Sequence, residues 1–444
     1  MALVAVAMFS IIAIAALSID IGTLYEASAE AQRSADAAAL AAARVLSLSG
    51  ITGDPANSSG EWATACAAAA TVAQAVASQD TVGGAVPANV NVTFIAGDGQ
   101  SDCGYGGGAG AASFGVNPTV TVHVQQTNLP TYFARIWGRT GNSASATATA
   151  EVFNPSETAA LYGTTTPVQP RCVKPLVVPN RDPLHPGGCN GGGCNPFVNT
   201  VMPPAGAIVN PGIRVGGTGT GVIGEQLALV PDCSTTGTCN SGAPYVNPPV
   251  ASAPNLLHYL PGAVPAVSVA VPSCGSANAY QQAVAGCDQT TQYQCGVLYS
   301  LSGNPNQVDI SENPATASSD TTTAAQCLTN EGQGTADGLS TAAYPYQITA
   351  GTGNPLGVNG TQITSSTSIV SIPIVDDSAT LKFVGTQAPV TVEGFLQVFI
   401  NEVDPNGILQ VTVLNVAGCG NAVPNGTQPI YGSSPVPVRL ITPP

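Results

Sequence analysis

Residues 1–47 read MALVAVAMFSIIAIAALSIDIGTLYEASAEAQRSADAAALAAARVLS, and this stretch decides the fold. No charged residue precedes Asp20, and Gly22 is the only glycine or proline before Gly50. The stretch therefore predicts one continuous helix of about 70 Å, at about 1.5 Å per residue. Its apolar first half, about 28 Å long, matches the hydrocarbon thickness of a bilayer. Such a helix must lie in a membrane, in a bundle of its own copies, or in each in turn.

The flank of this helix carries no positive charge, because the first basic residue is Arg33. Secretory signals begin with a basic segment, and membrane anchors usually carry Lys or Arg on their cytoplasmic side. We therefore expect that a short basic leader has been removed and that Met1 is the mature N-terminus. The alternative is an uncleaved anchor with an unusual flank.

The composition excludes several classes of protein. The 444 residues allow two or three domains, and only 8% of them are charged. With 50 glycines and 36 prolines the chain is not a helical bundle, and β-structure with many turns is expected. The formal net charge is −15, and no cluster of Lys or Arg occurs anywhere. A nucleic-acid-binding protein needs a basic face, so that class is excluded.

The cysteines predict disulfide bonds rather than a zinc site. No C-x-x-C pair occurs, and the only histidines are His123, His185 and His258. An even number of cysteines beside an export-type helix predicts an oxidising, extracytoplasmic compartment. The predicted disulfide cysteines are Cys66, Cys103, Cys172, Cys189, Cys194, Cys233, Cys239, Cys274, Cys287, Cys295, Cys327 and Cys419.

A small α+β domain is predicted over residues 49–153. An alanine-rich helix spans about 61–78, and Cys66 and Cys103 are paired as the only cysteines of this domain. Alternating apolar and polar residues then predict three strands, and a short amphipathic helix separates the last two. The strands are predicted at 90–97, 119–125 and 143–153, and the short helix at 129–138.

A Thr/Pro-rich linker at 154–170 leads to a β-rich, loop-rich outer domain over 171–444. Disulfide bonds between its cysteines would stabilise this domain. The first part, 171–366, holds nine of the twelve cysteines and shows few clear periodicities. Strands return at 368–377, 380–385, 390–403, 408–417 and 437–442, with a DPNG hairpin turn at 404–407. The predicted fold class is α+β: a long N-terminal hydrophobic helix (1–48), the small α+β domain, and a mainly-β, disulfide-rich domain.

Residues 15–44, AALSIDIGTLYEASAEAQRSADAAALAAAR, resemble the N-terminal signature of TadG-like (TadE/TadG) proteins of tight-adherence, Flp-type pili. The resemblance is carried by Asp20, Gly22, Leu24, Tyr25 and the alanine-rich run at 35–43. Weaker similarity covers 119–152, and the segments EGFLQVFINEV and VPVRLIT are similar to the ends of such chains. The resemblance implies an exported, helix-anchored protein of pilus or surface function.

The sequence also departs from related patterns. Many TadG-like proteins carry a von Willebrand A-type domain with a D-x-S-x-S metal site, but DISEN (309–313) and DDSAT (376–380) both break that pattern. A metal-dependent adhesion role is therefore not expected. The acidic residue near position five of ordinary type IV pilins is replaced by Ala5, so Asp20 becomes the first candidate for setting the register between helices. The alternative for Asp20 is a marker of the membrane–water boundary.

The candidate assembly residues all lie on the long helix, and no catalytic, cofactor or metal site is predicted. No serine lies in G-x-S-x-G, and the glycine runs at 106–108 and 191–193 lack the residues of a phosphate-binding loop. The chain is therefore not expected to be an enzyme. The assembly residues are Met1, Phe9, Ile12, Leu17, Asp20, Gly22, Leu24 and Tyr25.

The leading functional hypothesis is a pilin-like structural subunit of an extracellular filament, assembled through its N-terminal helix. Its partners would be copies of itself, the cytoplasmic membrane before assembly, and the pilus assembly machinery, at the cell surface and without nucleic acid. The alternative is a membrane-anchored, pilus-associated or adhesive surface protein that does not polymerise. An anchored extracytoplasmic enzyme is the third hypothesis.

Overall fold

The computed structural model describes most of the chain. The described residues are 2–53, 59–95, 118–133, 141–154, 168–170, 172–186, 194–199, 206–232, 251–252, 255–264, 278–286, 307–311, 314–378, 380–418, 430–432 and 434–441. Within them the helices are α1 (Ala2–Leu48), α2 (Ser59–Gln79), α3 (Ala279–Ala285) and α4 (Pro314–Leu328), with a single 3₁₀ turn at Ile51–Gly53.

The remaining regular structure consists of short and medium-length strands. They are β1 (Asn89–Ile95), β2 (Thr119–Leu129), β3 (Asn142–Val152), β4 (Val168–Pro170), β5 (Leu176–Pro179), β6 (Asp182–Pro186), β7 (Cys194–Asn195), β8 (Gln226–Pro231), β9 (Ala251–Ser252), β10 (Leu256–Pro261), β11 (Gln307–Asp309), β12 (Gly338–Ser340), β13 (Gln347–Thr349), β14 (Gln362–Ile363), β15 (Ile369–Val375), β16 (Gln387–Pro389), β17 (Val392–Val403), β18 (Leu409–Gly418), β19 (Ile430–Gly432) and β20 (Val438–Ile441). The chain is thus a long apolar helix followed by mixed α and β structure, mostly strands.

Helix α1 is continuous over 47 residues, as the sequence predicts. Its alanine-rich sequence favours helix throughout. It ends where Gly50 adopts the left-handed backbone conformation, with φ of +75°. A Cβ atom at Gly50 would lie 2.6 Å from the Ile223 side chain and 3.0 Å from the Leu414 carbonyl oxygen. Glycine is therefore required both by the turn and by the close approach of the next strands.

The first hydrophobic core forms between α1, α2 and a four-stranded antiparallel sheet of order β1-β2-β3-β20. Helix α1 contributes small side chains to this core, including Ala31, Ala35 and Ala39, none of which is exposed to solvent. Small side chains let α1 approach its neighbours closely. The large side chain of Trp62 on α2 belongs to the same buried core. The predicted helix at 61–78 and the predicted strands at 119–125 and 143–153 are confirmed, and the strand predicted at 90–97 is confirmed over 90–95, since residues 96–97 lie outside the described residues.

The last strand of the chain returns to this first sheet. Strand β20 pairs antiparallel with β3, so that Val438 lies opposite Val152. The Ser47 hydroxyl at the end of α1 donates a 2.7 Å hydrogen bond to the carbonyl of Val436, just before β20. The domain boundaries predicted from the sequence stay a prediction; the structure adds that residues 438–441 lie with the N-terminal elements.

The second core lies inside a closed barrel of six strands. The seven-stranded sheet has the order β5-β15-β17-β18-β8-β10-β9, and an additional pairing joins β5 to β10. This pairing closes the sheet and leaves its hydrogen-bonding edges covered. Leu229, Tyr259, Leu396 and Val413 are among the fully buried side chains at its centre. The DPNG segment forms the predicted turn between β17 and β18, with Gly407 at φ of +80°.

One predicted strand is wrong, and one predicted helix is wrong over residues 129–133, while its residues 134–138 lie outside the described part of the chain. Leu129 is the last residue of β2, and residues 130–133 are not helical, so the described part of the predicted helix at 129–138 is strand and bend. Pro130 has no amide hydrogen to continue either kind of pairing. Residues 380–385 do not form a strand either, because Gly385 reverses the chain with φ of +66°. Val384 therefore pairs only with Gln387 in an isolated bridge.

Helix α4 was not predicted, because its sequence PATASSDTTTAAQCL lacks an apolar stripe. It packs on α3 through hydroxyl groups instead. The Thr321 hydroxyl is within 2.9 Å of the Tyr280 hydroxyl and 3.1 Å of the hydroxyl of Tyr259 on β10. Polar contacts of this kind leave no periodic signature in a sequence.

Four of the twelve cysteines lie among the described residues. Cys66, Cys172, Cys194 and Cys327 are each disulfide-bonded. The predicted pairing of Cys66 with Cys103 stays a prediction, because Cys103 lies outside the described residues. The same holds for Cys189, Cys233, Cys239, Cys274, Cys287, Cys295 and Cys419.

Candidate functional site

The N-terminal part of α1 projects from the folded body with its apolar side chains uncovered. Ile11, Ile12 and Ile14 are exposed by 67%, 62% and 69%. Successive residues of a helix point about 100° apart, so these three side chains are exposed in different directions, whereas Ala16 and Asp20 on one face are buried. The large exposed side chains of this segment are Val4, Met8, Ile11, Ile12, Ile14, Leu17, Ile19 and Ile21. Solvent does not favour such a surface, so lipid or protein must cover it.

The second half of α1 is buried in the first hydrophobic core, whereas its first half is exposed. One helix therefore spans two environments. From Ala27 onwards, the face towards α2 and the sheet is buried, and Leu46 is fully buried near the C-terminal end. Within the described residues, α1 is the one helix long and apolar enough to cross a membrane, judged by length and composition. Its qualifying segment is Ser10–Leu48.

Asp20 lies at the junction between the exposed and the embedded parts of α1. It is only 6% exposed, and its carboxylate faces the segment that follows β2. The Tyr132 amide donates to Asp20 Oδ1 over 2.9 Å, and the Phe133 amide donates to Oδ2 over 3.1 Å. A buried carboxylate is stable only with such partners. Asp20 therefore fastens a distant loop to the helix, a role that the sequence did not reveal.

Two exposed tyrosines lie near the hydrogen bonds of Asp20. Tyr25, one turn beyond Asp20, is 73% exposed, and Tyr132 is 59% exposed. Tyrosine is enriched where the apolar interior of a membrane meets water, because its ring is apolar and its hydroxyl is polar. The two rings and the Asp20 contact thus mark the end of the apolar segment.

The other predicted assembly residues are distributed along the helix. Ile12 and Leu17 are exposed, Gly22 is exposed, and Leu24 packs partly against the first core. A Cβ atom at Gly22 would meet nothing within 4 Å, so this chain alone does not require glycine there. Met1 and the side chain of Phe9 lie outside the described residues. An assembly role for these eight residues stays a prediction.

A second cluster of polar residues lies far from α1, beside the barrel. His185 Nδ1 lies 3.2 Å from Glu225 Oε1 and also contacts Asp182 Oδ2. Arg214 Nη2 donates to the same Glu225 oxygen over 2.9 Å. His185 Nε2 contacts the carbonyl oxygen of Thr220. We call Asp182, His185 and Glu225 the DHE cluster; their potential ligand atoms lie within 4.8 Å of one another.

Burial gives the DHE cluster unusual electrostatics. The side chains of Asp182 and Glu225 are not exposed at all, whereas His185 is 16% exposed. Burial, and then the nearby charge of Asp182, raise the pKa of Glu225 to about 8, although Arg214 opposes this shift. Sequence reasoning missed the cluster because 40 residues separate His185 from Glu225 and no ligand motif connects them. The glycine-rich segment GGTGTG (216–221), whose Thr220 carbonyl oxygen contacts His185 Nε2, is the one visible signal.

Other ionisable groups lie near the end of α1 and on or beside the barrel strands; Lys174, Asp232 and His258 are buried, whereas Arg44 is exposed. Lys174 and Arg44 line a cavity of 670 Å³, and the Lys174 ammonium donates to the carbonyl oxygen of Gly286. Burial lowers the pKa of Lys174 to about 7. Burial likewise raises the pKa of Asp232 to about 6, although His258 lies 3.3 Å away and opposes the shift.

The fold and the helix define a class of protein: a folded α+β body that carries one candidate membrane-spanning helix among its described residues. The particular family of that helix follows from comparison. Residues 1–45 match the family model described as putative Flp pilus-assembly TadE/G-like, which confirms the resemblance of the N-terminal segment. No curated protein and no solved structure matches the chain. The match indicates a pilus-related protein and favours a structural over a catalytic role.

Proposed function

We propose that the protein is a pilin-like subunit of an extracellular filament, assembled through the exposed part of α1. The observation that carries this proposal is the uncovered apolar surface between Val4 and Ile21. Covering such a surface stabilises an assembly by roughly 25 cal/mol for each Å² removed from water. The helix would lie in the cytoplasmic membrane before assembly and then pack against copies of itself.

Small residues on the exposed segment support helix–helix packing over permanent contact with lipid alone. Ser18 and Gly22 are four residues apart, lie on the same face and are both exposed. Small residues at this spacing let two helices approach closely in a membrane. The open space around Gly22 within one chain is consistent with a neighbour supplied by another copy.

In the proposed filament, residues 1–48 form the core, residues 49–153 and β20 surround it, and most of residues 171–444 face outwards with their disulfide bonds. The disulfide-bonded state of Cys172, Cys194 and Cys327 supports an oxidising, extracellular setting for the outer part. The Asp20 contact supports movement of the helix from the membrane into a filament, because the buried carboxylate already has hydrogen-bond partners within its own chain. The pilus assembly machinery would be the remaining partner.

Two substitutions that each introduce leucine test this proposal. Gly22→Leu adds bulk on the small-residue face, whereas Ile12→Leu keeps the volume and apolar character of an exposed position. We expect wild type and Ile12→Leu to yield filaments in sheared surface material examined by negative-stain microscopy. Gly22→Leu should abolish them while the protein still accumulates in membranes. Recovery of the wild-type chain only from detergent-extracted membranes would reject the filament role.

The second candidate is a membrane-anchored, pilus-associated or adhesive protein that does not polymerise. The exposure of apolar side chains around most of the N-terminal part of α1 favours this role as much as the first, since lipid surrounds a single helix from all sides. A photo-reactive residue at Ile12 distinguishes the two. Cross-links between copies of the chain in the extracellular fraction support the filament, whereas exclusively lipid adducts support the anchor.

A further inference from the structure

The geometry points to a divalent metal site of the zinc class at the DHE cluster, formed by His185 Nδ1 and the carboxylates of Asp182 and Glu225. The site lies on the barrel side of the molecule and does not depend on the proposed filament function. Its ligands come from β6 and from the residue that precedes β8.

The first argument is the tautomer of His185. Its Nε2 atom contacts the carbonyl oxygen of Thr220, and a carbonyl oxygen can only accept a hydrogen bond. Nε2 therefore carries a proton, and in the neutral ring Nδ1 presents a lone pair towards both carboxylates. A ligating histidine usually donates its other ring N–H to a carbonyl or carboxylate in this way.

The second argument is the geometry of the donor atoms. Zinc binds histidine nitrogen and carboxylate oxygen at about 2.0–2.2 Å, so neighbouring ligand atoms of a tetrahedral site are about 3.3–3.6 Å apart. The distance from His185 Nδ1 to Glu225 Oε1 is 3.2 Å, close to this separation, whereas Asp182 Oδ2 lies nearer to Nδ1 and would move away from it to make room for the ion. One nitrogen and two carboxylates suit Zn²⁺ better than Mg²⁺, which prefers oxygen ligands alone.

The third argument is a buried polar atom without a partner. Glu225 is 1% exposed, and its Oε2 atom has no hydrogen-bond partner among the described residues. A buried carboxylate oxygen in that state is unfavourable. A metal ion bound by both oxygens of Glu225 would satisfy it, and so would a proton on Glu225 donated to Asp182, whereas a proton on His185 Nδ1 would bond to Asp182 and leave Oε2 unchanged.

The effect of substituting Arg214 on metal affinity distinguishes a metal site from a network of ion pairs between protein side chains. Its guanidinium lies 2.9 Å from Glu225 and would repel a bound dication. Two charges of +1 and +2 about 5 Å apart weaken binding roughly tenfold or more, even at the dielectric constant of water. Arg214→Met should therefore bind Zn²⁺ about tenfold more tightly than wild type if the site is a metal site.

The experiment uses the full chain in detergent, dialysed against chelator and titrated with Zn²⁺ alone. We expect one equivalent to bind, and a saturable rise in Tm that Mg²⁺ does not produce. At free Zn²⁺ about 100-fold above Kd, the unfolding equilibrium constant should fall about 100-fold. His185→Gln and Glu225→Gln should lose this response, and the matched controls His123→Gln and Glu402→Gln should keep it.

Three results would overturn the proposal: no saturable binding of Zn²⁺ by the wild type, binding that His185→Gln and Glu225→Gln leave unchanged, or weaker binding by Arg214→Met. Should the two Gln variants fail to fold, X-ray absorption of the Zn²⁺-loaded wild type decides. Nitrogen and oxygen ligands including one imidazole support the site. Sulfur ligands would place the ion on cysteines and reject it.

Discussion

The Asp20 carboxylate accepts a 2.9 Å hydrogen bond from the backbone amide of Tyr132, a residue 112 positions further along the chain. This contact lies where α1 leaves its exposed segment and enters the folded body. It fixes the β2–β3 connection against the helix and brings Tyr132 to the level of Tyr25. The boundary between the apolar segment and the body is thus marked by this hydrogen bond as well as by the change in composition.

We expect Asp20→Ala to release the loop that follows β2. Two backbone amides would lose their acceptor, at a cost of about 1–3 kcal/mol for each group left unpaired. Hydrogen exchange at Tyr132 and Phe133 should accelerate strongly, while exchange in β2 stays slow. Glu26→Ala, which removes an exposed carboxylate from the same helix, is the control and should change neither. Unchanged exchange in Asp20→Ala would show that the contact does not hold the loop.

The alanine-rich face of α1 should not tolerate larger side chains. Ala35 is fully buried against α2 and the sheet, so Ala35→Leu should destabilise the fold by about 1–3 kcal/mol through overpacking. Ala29→Leu makes the same change at an exposed position and should alter stability by no more than about 0.5 kcal/mol. Urea unfolding of both variants in detergent measures the difference. Equal stabilities would contradict the close packing.

Arg439 should hold the C-terminal strand to the first sheet. Its Nε atom lies 2.7 Å from Glu151 Oε2, and Glu151 is only 1% exposed. Arg439→Met would leave a buried carboxylate without this partner, and we expect a loss of about 1–3 kcal/mol in the free energy of unfolding. Adding Glu151→Gln to Arg439→Met should recover part of this loss, because the buried charge is removed. No recovery in the double variant would mean that the side-chain packing of Arg439, not its charge, is what matters.

Lys174 predicts a distinct dependence of stability on pH. Its pKa is about 7 in the folded protein against an ordinary value of 10.5, so between these values the unfolded chain binds a proton that the folded chain does not. Stability should therefore rise with pH in this window, by up to about 1.4 kcal/mol for each pH unit. Glu225, with a pKa raised to about 8, acts in the opposite direction at lower pH.

The measurement is chemical unfolding between about pH 8 and pH 10. Lys174→Met should lack the contribution that rises with pH, and the difference between this variant and wild type should shrink as the pH increases. Lys382→Met removes an exposed lysine and should follow the wild-type curve. Parallel curves for wild type and Lys174→Met would show that Lys174 keeps its ordinary pKa.

Much of the secondary structure could be predicted, because its signals are local. The apolar and alanine-rich residues of α1, the alternation in β1 to β3, and the DPNG turn between β17 and β18 each carry their structure in adjacent residues. Helix α4 and the segment around Gly385 could not be predicted in the same way. Hydroxyl contacts of Thr321 and a left-handed turn decide those two segments.

The candidate sites differ in the same way, since some depend on local sequence and others on tertiary contacts. The apolar character of Ile12 and Leu17 can be seen in the helix sequence itself, although Ala16 and Asp20 beside them are buried in the folded chain. The partners of Asp20 and the meeting of His185 with Glu225 depend on loops that only the folded chain brings together. Histidines that look scattered in the sequence therefore gave no reason to expect a metal site.

By itself, the sequence determined that this protein has one long, apolar N-terminal helix with a TadE/G-like signature, because helix propensity, apolar length and absence of charge are properties of neighbouring residues. Tertiary structure alone decided where that helix becomes part of the body, how β20 returns to the first sheet, and how the barrel closes between β5 and β10. Those outcomes depend on contacts between residues far apart in the chain, and hydrogen bonding and packing select them only once the chain has folded.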